Sequence, residues 1–311
     1  MKAFITGGAG FIGSNLVEEL LKRGCFVTAY DNLSLGKKEF LRCYFKNKNF
    51  KFIKGDILDL NKLKKAMLGH RVIFHLAANS DIDCGRKYTD TDLRQGILGT
   101  YNVLEAMRIN KIKEIIFTSS SVIFGDVPKV PVTENHGPSF PISLYGASKL
   151  SAEGLISAYV HNFDMRGWIF RLGNVVGRNS THGVLVDFIK KLRKNPKELE
   201  VLGNGKQAKS YIYVRDCIEG MLFGYEYAKD KLNCFNLSSP GTVDVNTVAG
   251  ILIKEMGLKN VRNKYTGKDR GWPGDVTYVK LNVNKIGRLG WKVKLSSDQA
   301  IKFAIRDLLR K

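Results

Sequence analysis

Short apolar runs alternate with amphipathic stretches along the first half of the chain. The runs are rich in strand-forming residues, and the stretches between them carry apolar residues at helical spacing. Strands are predicted at residues 2–6, 26–30, 50–54, 72–78, 114–118 and 168–171. Helices are predicted at residues 14–22, 60–68 and 93–109 and around residues 145–149. Continuous apolar strands that alternate with helices favour a parallel sheet covered on both faces, so the predicted fold class is α/β with a Rossmann-type doubly wound sheet.

The pattern loosens beyond about residue 175. Further helices are predicted at residues 184–193, 215–227, 245–256 and 297–309, with short strands at 209–214 and 235–237. We interpret residues 1–174 as a dinucleotide-binding domain. Residues 175–311 are expected to form mainly a smaller C-terminal α/β lobe that binds substrate, with a segment at about 209–238 returning to the first domain.

Glycines dominate the turn after the first predicted strand. Residues 7–13 read GGAGFIG directly before an amphipathic helix, and Asp31 ends the second predicted strand. Gly7 and Gly10 would let the backbone turn tightly and approach a pyrophosphate, and Gly13 would let the helix pack closely on the strand. The helix N-terminus would offer N–H groups to the phosphates. This order of strand, glycine turn, helix, strand and acid predicts a dinucleotide site.

The acid at the end of the second strand favours NAD over NADP. Asp31 would accept hydrogen bonds from the adenosine ribose hydroxyls, and its charge would repel a 2′-phosphate. Lys37 and Lys38 weaken this preference a little. The predicted cofactor is therefore NAD. The residues expected to contact it are Gly7, Gly10, Phe11, Ile12, Gly13, Asp31, Asn32, Asp56, Ile57, Leu76, Ala77, Ala78 and Lys149.

Tyr145 and Lys149 are four residues apart in a predicted helix, so they share one face. A free phenol has a pKa near 10 and is a poor base at neutral pH. A fixed positive charge beside it favours the phenolate, and Lys149 together with a cationic cofactor ring could supply that charge. The pair is therefore a candidate for proton abstraction beside a nicotinamide.

Taken together, the motifs resemble the extended short-chain dehydrogenase/reductase family and, within it, the UDP-glucose (UDP-galactose) 4-epimerases. They are TGGAGFIG at 6–13, DNLS at 31–34, HLAA at 75–78, TSSS at 118–121, YGASK at 145–149 and GNVVG at 173–177. The resemblance implies NAD-dependent epimerisation of a UDP-hexose at C4 through a transient 4-keto sugar. It also implies a homodimer paired through the helices around residues 95–109 and 145–161.

The resemblance assigns roles to individual residues. Tyr145 is the expected general base, and Lys149 is its partner and also binds the nicotinamide ribose. Ser120, rather than its neighbour Ser121, matches the family's catalytic serine or threonine, whose hydroxyl bonds the reacting sugar oxygen. Asn174 matches the asparagine that contacts the nucleotide diphosphate. The residues expected to bind substrate are Ser120, Tyr145, Asn174, Lys209 and Arg270, and His182 is interpreted as a solvated loop residue that could also face the substrate.

Several positions depart from the family pattern. Gly96 stands where an asparagine usually precedes x-x-Gly-Thr, and Phe124 where a tyrosine usually precedes glycine. Lys209 replaces an arginine, which keeps a charge for phosphate but loses the bidentate fork. Trp272 stands where an arginine is usual, with Arg270 as the substitute. These departures do not touch the residues expected for the NAD chemistry. They concern the sugar pocket, so the sequence does not identify the sugar.

Other reactions on nucleotide-sugars share most of these motifs. A UDP-uronic acid 4-epimerase, a decarboxylase and a dehydratase are the alternatives. A dehydratase would need an acid beside Ser120, where the sequence has Ser121. A non-catalytic dinucleotide-binding or RNA-binding protein is a further alternative, and the presence of Ser120, Tyr145 and Lys149 together disfavours it.

The net charge of +21 is high for a chain of 311 residues. Lysines on solvated faces would explain it, and so would attraction to a polyanion. Because the basic residues are spread through the chain without a recognised binding module, we expect no nucleic-acid partner. The cysteines at 25, 43, 84, 217 and 234 lack metal-ligand spacing, so we expect reduced thiols and no metal. With no apolar segment of signal-peptide or membrane-spanning length, we expect a cytoplasmic protein.

Overall fold

We describe the fold from a computed structural model, which covers residues 1–310. The strands, numbered in chain order, are β1 (Lys2–Thr6), β2 (Phe26–Asp31), β3 (Phe50–Lys54), β4 (Val72–His75), β5 (Glu114–Ser120), β6 (Arg166–Leu172), β7 (Asn174–Val176), β8 (Glu198–Val201), β9 (Ala208–Lys209), β10 (Tyr211–Tyr213), β11 (Leu232–Leu237), β12 (Val243–Asp244), β13 (Arg262–Tyr265) and β14 (Tyr278–Val279). The helices are α1 (Phe11–Lys22), α2 (Leu60–Met67), α3 (Ile82–Lys87), α4 (Asp90–Asp92), α5 (Gly99–Ile109), α6 (Leu144–Asn162), α7 (Val184–Lys194), α8 (Val214–Tyr227), α9 (Val245–Glu255), α10 (Asn284–Arg288) and α11 (Ser297–Leu309).

The central sheet has seven strands in the order β11-β6-β5-β4-β1-β2-β3. All of its neighbouring strands are parallel. The strand order reverses between β1 and β4, where Thr6 is paired with His75. Ligands of such sheets bind beyond the carboxyl ends of the strands at this reversal. The predicted α/β fold class with a Rossmann-type doubly wound sheet is confirmed.

Side chains of the central strands alternate between two cores, as a twofold strand period requires. Ala3 and Ile5 of β1 belong to the core that contains α1 and α8, whereas Phe4 belongs to the core that contains α2, α5 and α6. Both faces of the sheet are therefore covered by helices. This burial explains why the strands read as continuous apolar runs.

The remaining strands form three small sheets: β7 with β10, β8 with β13, and β9 with β12 and β14. Strand β11 pairs with β6 at the edge of the central sheet, whereas β9 and β10 do not join that sheet. No helix within residues 1–310 is both long and apolar enough to cross a membrane.

Three predicted elements differ from the structure. The strand expected to reach residue 78 ends at His75, because the Ala77 N–H turns to the Thr6 hydroxyl instead of a neighbouring strand. The strand predicted at 209–214 is divided at Ser210, because β9 and β10 pair with different sheets. The helix predicted at 93–109 opens with a π-helical turn, Leu93–Leu98. Contacts with distant segments, which local periodicity does not contain, decide the two strand differences.

Candidate active site

The glycine turn lies at the carboxyl end of β1 and leads into α1. Gly7 has φ +69°, and a Cβ there would lie 2.9 Å from the Ala77 nitrogen. A Cβ on Gly13 would overlap the Gly7 carbonyl oxygen. Gly10 is the N-cap of α1, and no side chain among residues 1–310 caps that end. The amide groups of the first turn are therefore free to bind an anion.

Asp31 is buried at the end of β2 and accepts two backbone hydrogen bonds. The Ala9 N–H donates to Oδ2 at 2.9 Å, and the Leu33 N–H donates to Oδ1 at 2.8 Å. Burial raises the pKa of Asp31, and these two bonds oppose the rise. A carboxylate has about four acceptor positions, so two remain for a ligand's hydroxyls. Gly36 leaves room beside it, because a Cβ there would lie 2.7 Å from Oδ1.

Replacing Asp31 by alanine should weaken NAD binding and reduce discrimination against NADP. Loss of hydrogen bonds to a charged acceptor costs about 1.5–3 kcal/mol, or roughly a 10- to 100-fold rise in Kd for NAD. The Kd values of both dinucleotides can be measured by calorimetry on ligand-free protein. An unchanged NAD-to-NADP affinity ratio would contradict the role of Asp31.

The other expected cofactor residues lie at neighbouring strand ends. Asn32 donates to Asp56 Oδ2 at 2.8 Å, which joins the end of β2 to the turn after β3. Ile57 packs in the core, and its carbonyl oxygen accepts from Asn102 at 3.0 Å. The segment 76–78 follows β4 beside the glycine turn. Phe11 and Ile12 are in the first turn of α1.

His75 lies fully buried between the two strands where the order reverses. Its Nδ1 is 2.7 Å from the Thr6 hydroxyl, and its Nε2 is 3.0 Å from the Thr100 hydroxyl. Thr100 in turn donates to the Gly96 carbonyl oxygen at 2.5 Å, so Nε2 of His75 carries the proton and Nδ1 accepts from Thr6. Burial, with a smaller contribution from the Lys149 charge, lowers the pKa of His75 to about 3. The imidazole is therefore neutral at physiological pH.

We expect His75→Gln to make the unfolding free energy less sensitive to acid. The unfolded histidine binds a proton below its ordinary pKa of about 6.5, whereas the folded one does not until about pH 3. The wild type should therefore lose about 2 kcal/mol more stability than the variant between pH 7.5 and 5. Urea unfolding at both pH values measures this difference, and equal losses in the two proteins would contradict it.

Helix α6 holds Tyr145 and Lys149 at the carboxyl ends of β4 and β5. The helix begins after Ser143, whose hydroxyl accepts from the Gly146 N–H at 3.1 Å. Lys149 is buried, with Nζ donating to the Thr118 carbonyl oxygen at 2.7 Å. Nζ is also 5.7 Å from the centre of the Tyr145 ring. Capping and helical spacing thus fix the two side chains side by side.

The sequence predicts a lowered pKa for Tyr145 beside Lys149, but in the structure the pKa of Tyr145 is raised. Burial and the Asp92 charge raise the pKa of Tyr145 to about 12, although a hydrogen bond with Ser120 opposes the rise. Burial lowers the pKa of Lys149 to about 8, and the charges of Glu153 and Asp92 oppose that fall. Desolvation and the Asp92 charge therefore outweigh the Ser120 hydrogen bond, and the protein groups alone do not make a phenolate at neutral pH.

The three serines of the TSSS motif have different environments. Ser119 donates to Glu153 Oε1 at 2.5 Å, and Ser121 is buried at the start of a short 3₁₀ turn, Ser121–Phe124. Ser120 is half-buried and hydrogen-bonds the Tyr145 side chain. Of the three hydroxyls, the one on Ser120 therefore faces the tyrosine.

The expected substrate residues Lys209 and Arg270 are bound to acidic groups of the protein. Lys209 Nζ donates to Asp275 Oδ1 at 2.6 Å. Arg270 makes two bonds to the Asp126 carboxylate, at 3.1 and 2.7 Å, and also donates to the Asp275 carbonyl oxygen. To bind Lys209 and Arg270, a diphosphate would have to share these two donors with Asp275 and Asp126, or displace the two acidic residues from them.

Asn174 and His182 have contacts with other residues of the protein. Asn174 begins β7, and its side chain hydrogen-bonds the buried Tyr211 hydroxyl of β10. His182 is exposed, with Nδ1 3.0 Å from the Thr181 hydroxyl. The imidazole of His182 thus lies in a loop and forms a hydrogen bond with the adjacent Thr181.

The sequence reasoning missed a buried ion pair behind the serine strand and a buried acid beside Lys149. Arg171 of β6 donates to Glu153 Oε2 at 2.7 Å. Glu153 follows Lys149 by four residues, so helical spacing could have revealed it. Asp92 accepts from Asn79 at 3.1 Å and is 2 % exposed. No sequence pattern signals that burial, because separate segments create it.

Comparisons with known proteins agree with this geometry. Residues 3–247 match the family described as "NAD dependent epimerase/dehydratase family". A putative UDP-glucose 4-epimerase of Methanocaldococcus jannaschii is 31% identical over 96% of this chain and 95% of its own length. UDP-glucuronic acid decarboxylase 2 of Arabidopsis thaliana is 29% identical over 99% of this chain and 68% of its own length.

A solved structure extends the similarity to the whole fold. A crystal structure of a UDP-galactose 4-epimerase has 34% identity and a TM-score of 0.89, covering 100% of this chain and 99% of that one. The predicted family and the predicted NAD cofactor are confirmed by these comparisons. The free amides at the start of α1 and the spare acceptor positions of Asp31 fit that dinucleotide.

Proposed function

Because the chain belongs to the NAD dependent epimerase/dehydratase family, and is therefore an NAD-dependent enzyme of that family, we propose that it epimerises a nucleotide-sugar at C4. The proposed substrate is of the UDP-glucose/UDP-galactose type. The convergence of Ser120, Tyr145 and Lys149 at the carboxyl ends of β4 and β5 carries this proposal. The similarity to a UDP-galactose 4-epimerase over the whole chain supports it.

In the proposed reaction, Tyr145 takes the proton of the sugar's C4 hydroxyl, and Ser120 orients that oxygen. NAD, when bound, would supply the hydride acceptor and a positively charged ring. Because burial keeps the pKa of Tyr145 high, its phenol would need that added positive charge to act as a base at neutral pH. Lys149 holds a second positive charge beside the ring of Tyr145 and offers its ammonium to the nicotinamide ribose.

The hydride must return to the other face of C4 for epimerisation. The proton held by Tyr145 then goes back to the C4 oxygen, which restores both the sugar's hydroxyl and the phenolate. Tyr145 thus serves as base in the first half of the cycle and as acid in the second.

The second candidate is a reaction on a UDP-uronic acid, either 4-epimerisation or decarboxylation. The similarity to UDP-glucuronic acid decarboxylase 2 favours it. Lys209 and Arg270, already held by acidic partners, offer the positive charge that a sugar carboxylate or diphosphate requires. In both candidates the first step is oxidation at C4.

We also propose that the protein acts as a cytoplasmic homodimer paired through α5 and α6. Tyr101 and Ile109 are exposed apolar residues on α5, with 42% and 45% of their surface accessible. Such side chains favour burial against a second copy. We further propose residues 1–174 together with β11 as the NAD-binding domain.

The proposed reaction can be tested with a panel of UDP-, GDP- and CDP-hexoses and UDP-uronic acids. The product of each reaction is identified by NMR. A UDP-hexose of the panel should give its C4 epimer. Release of CO2 with a UDP-pentose product would favour the second candidate. No epimer from any nucleotide-sugar would contradict the proposal.

A further inference from the structure

Lys149 is a buried ammonium that requires an opposite charge. It is 3% exposed, and its hydrogen bond goes to the neutral carbonyl oxygen of Thr118 at 2.7 Å. A buried charge without a counter-charge is strongly unfavourable. The identity of that counter-charge therefore matters for how Lys149 stays protonated.

Glu153 is near Lys149, but Arg171 already neutralises it. The Arg171 guanidinium donates to both Glu153 oxygens, with the shortest bond at 2.7 Å. Ser119 donates to the same carboxylate at 2.5 Å. The Glu153 charge opposes the fall of the Lys149 pKa, but its carboxylate is already held by Arg171 and Ser119, so it is shared with another cation.

Asp92 is the last residue of α4, which packs against α6, and no cation forms an ion pair with it within residues 1–310. It is 2% exposed, and Oδ1 accepts one hydrogen bond from the neutral amide of Asn79 at 3.1 Å. Oδ2 is buried and has no hydrogen-bond partner in that part of the chain. The carboxyl group is thus enclosed in protein, with one oxygen uncommitted.

A glycine makes room for the Asp92 carboxyl group. Gly85 of α3 lies against it, and a Cβ on Gly85 would overlap Oδ2. The π-helical turn starts directly after Asp92, and such turns occur often at functional sites. One turn later, Gly96 lacks a side chain, and a Cβ there would lie 2.5 Å from the Ser148 hydroxyl. In the segment formed by α4 and the π-helical turn, Asp92 therefore carries the polar side chain near Lys149. Position 96 carries none.

We propose that Asp92 is the counter-ion of Lys149 and, as a positioning residue, sets the charge state of the Tyr145–Lys149 pair. The inference rests on the proposed catalytic function of that pair. Asp92 acts at a distance through its charge, without touching the sugar's reacting atoms.

The charged and titratable groups around the pair predict the direction of its effect. Lys149 faces Glu153 on its own helix, Asp92 on α4 and the neutral His75 on β4. Tyr145 faces Asp92 and the Ser120 hydroxyl. Burial raises the pKa of Asp92, whereas the Asn79 bond and the Lys149 charge lower it. Removing the Asp92 charge lowers the pKa of both members of the pair, so both limbs of the pH profile move to lower pH.

The test compares Asp92→Asn with Asp90→Asn in the pH profile of kcat. Asp90 is on the same short helix with its side chain 61% exposed, so its variant should follow the wild type. Asp92→Asn should move the profile down by about half a pH unit or more, a threefold or larger loss of activity at pH 9 relative to pH 7. Asp92→Glu, which keeps the charge, should follow the wild-type profile.

The possible failures can be told apart. A profile of Asp92→Asn that superimposes on that of the wild type, with normal turnover, would overturn the role of Asp92 and leave the proposed function intact. A wild type without activity on any nucleotide-sugar would overturn the proposed function itself. If Asp92→Asn does not fold, the smaller neutral variant Asp92→Ser should show the same shift, and a wild-type profile for that variant would overturn the inference.

Discussion

Tyr145→Phe should reduce kcat by about a thousand-fold, the usual effect of removing a general base, and should leave NAD bound. The change removes only the hydroxyl that hydrogen-bonds Ser120. The ring, the helix and the Lys149 bond to Thr118 stay in place. Turnover and the NAD content of the purified variant are the two measurements.

Tyr159→Phe is the matched control for this substitution. Tyr159 is on the same helix, but its hydroxyl bonds Glu105 at 3.2 Å, away from the crevice. The control should retain near-normal turnover. Full activity in Tyr145→Phe would show that another group takes the proton, and it would contradict the proposed chemistry.

Gly13→Ala should abolish high-affinity NAD binding. The added methyl group would overlap the Gly7 carbonyl oxygen, so α1 and the glycine turn would have to separate. Overpacking of this kind costs about 1–3 kcal/mol, and misplacing the amides that face the pyrophosphate adds to the loss. We expect the Kd for NAD to rise at least about 100-fold, corresponding to about 2.7 kcal/mol.

Gly250→Ala is the control for Gly13→Ala because both glycines lie inside helices. A Cβ on Gly250 in α9 would meet no atom within 4 Å among residues 1–310. This variant should bind NAD normally and gain about 0.5–1 kcal/mol of stability from the better helix propensity of alanine. Equal NAD affinities in the two variants would contradict the role of the close contact at Gly13.

The dinucleotide half of the site is encoded locally, and the sequence predicts it well. The strand, the glycine turn, the helix and Asp31 follow one another within the first 31 residues, so periodicity and glycine chemistry determine their order. The same holds for Tyr145 and Lys149, which one helix brings together. Short-range patterns therefore explain why the family and the fold class could be predicted.

Properties that depend on distant segments could not be predicted. Burial raises the pKa of Tyr145, although helical spacing alone suggested a lowered one. Asp92 is enclosed by Asn79 and Gly85, which belong to other elements. The strand predicted at 209–214 divides because its halves find different partners. Desolvation and strand pairing are properties of the folded chain, and no local pattern contains them.

In the reaction that we propose, the sugar is oxidised at C4 and the same hydride returns to C4. The most direct measurement uses the nucleotide-sugar that the panel identifies, deuterated at C4 and incubated with the enzyme in ordinary water. The epimer should retain deuterium at C4, detected by ²H NMR. An epimer with hydrogen from water at C4 would contradict the return of the same hydride.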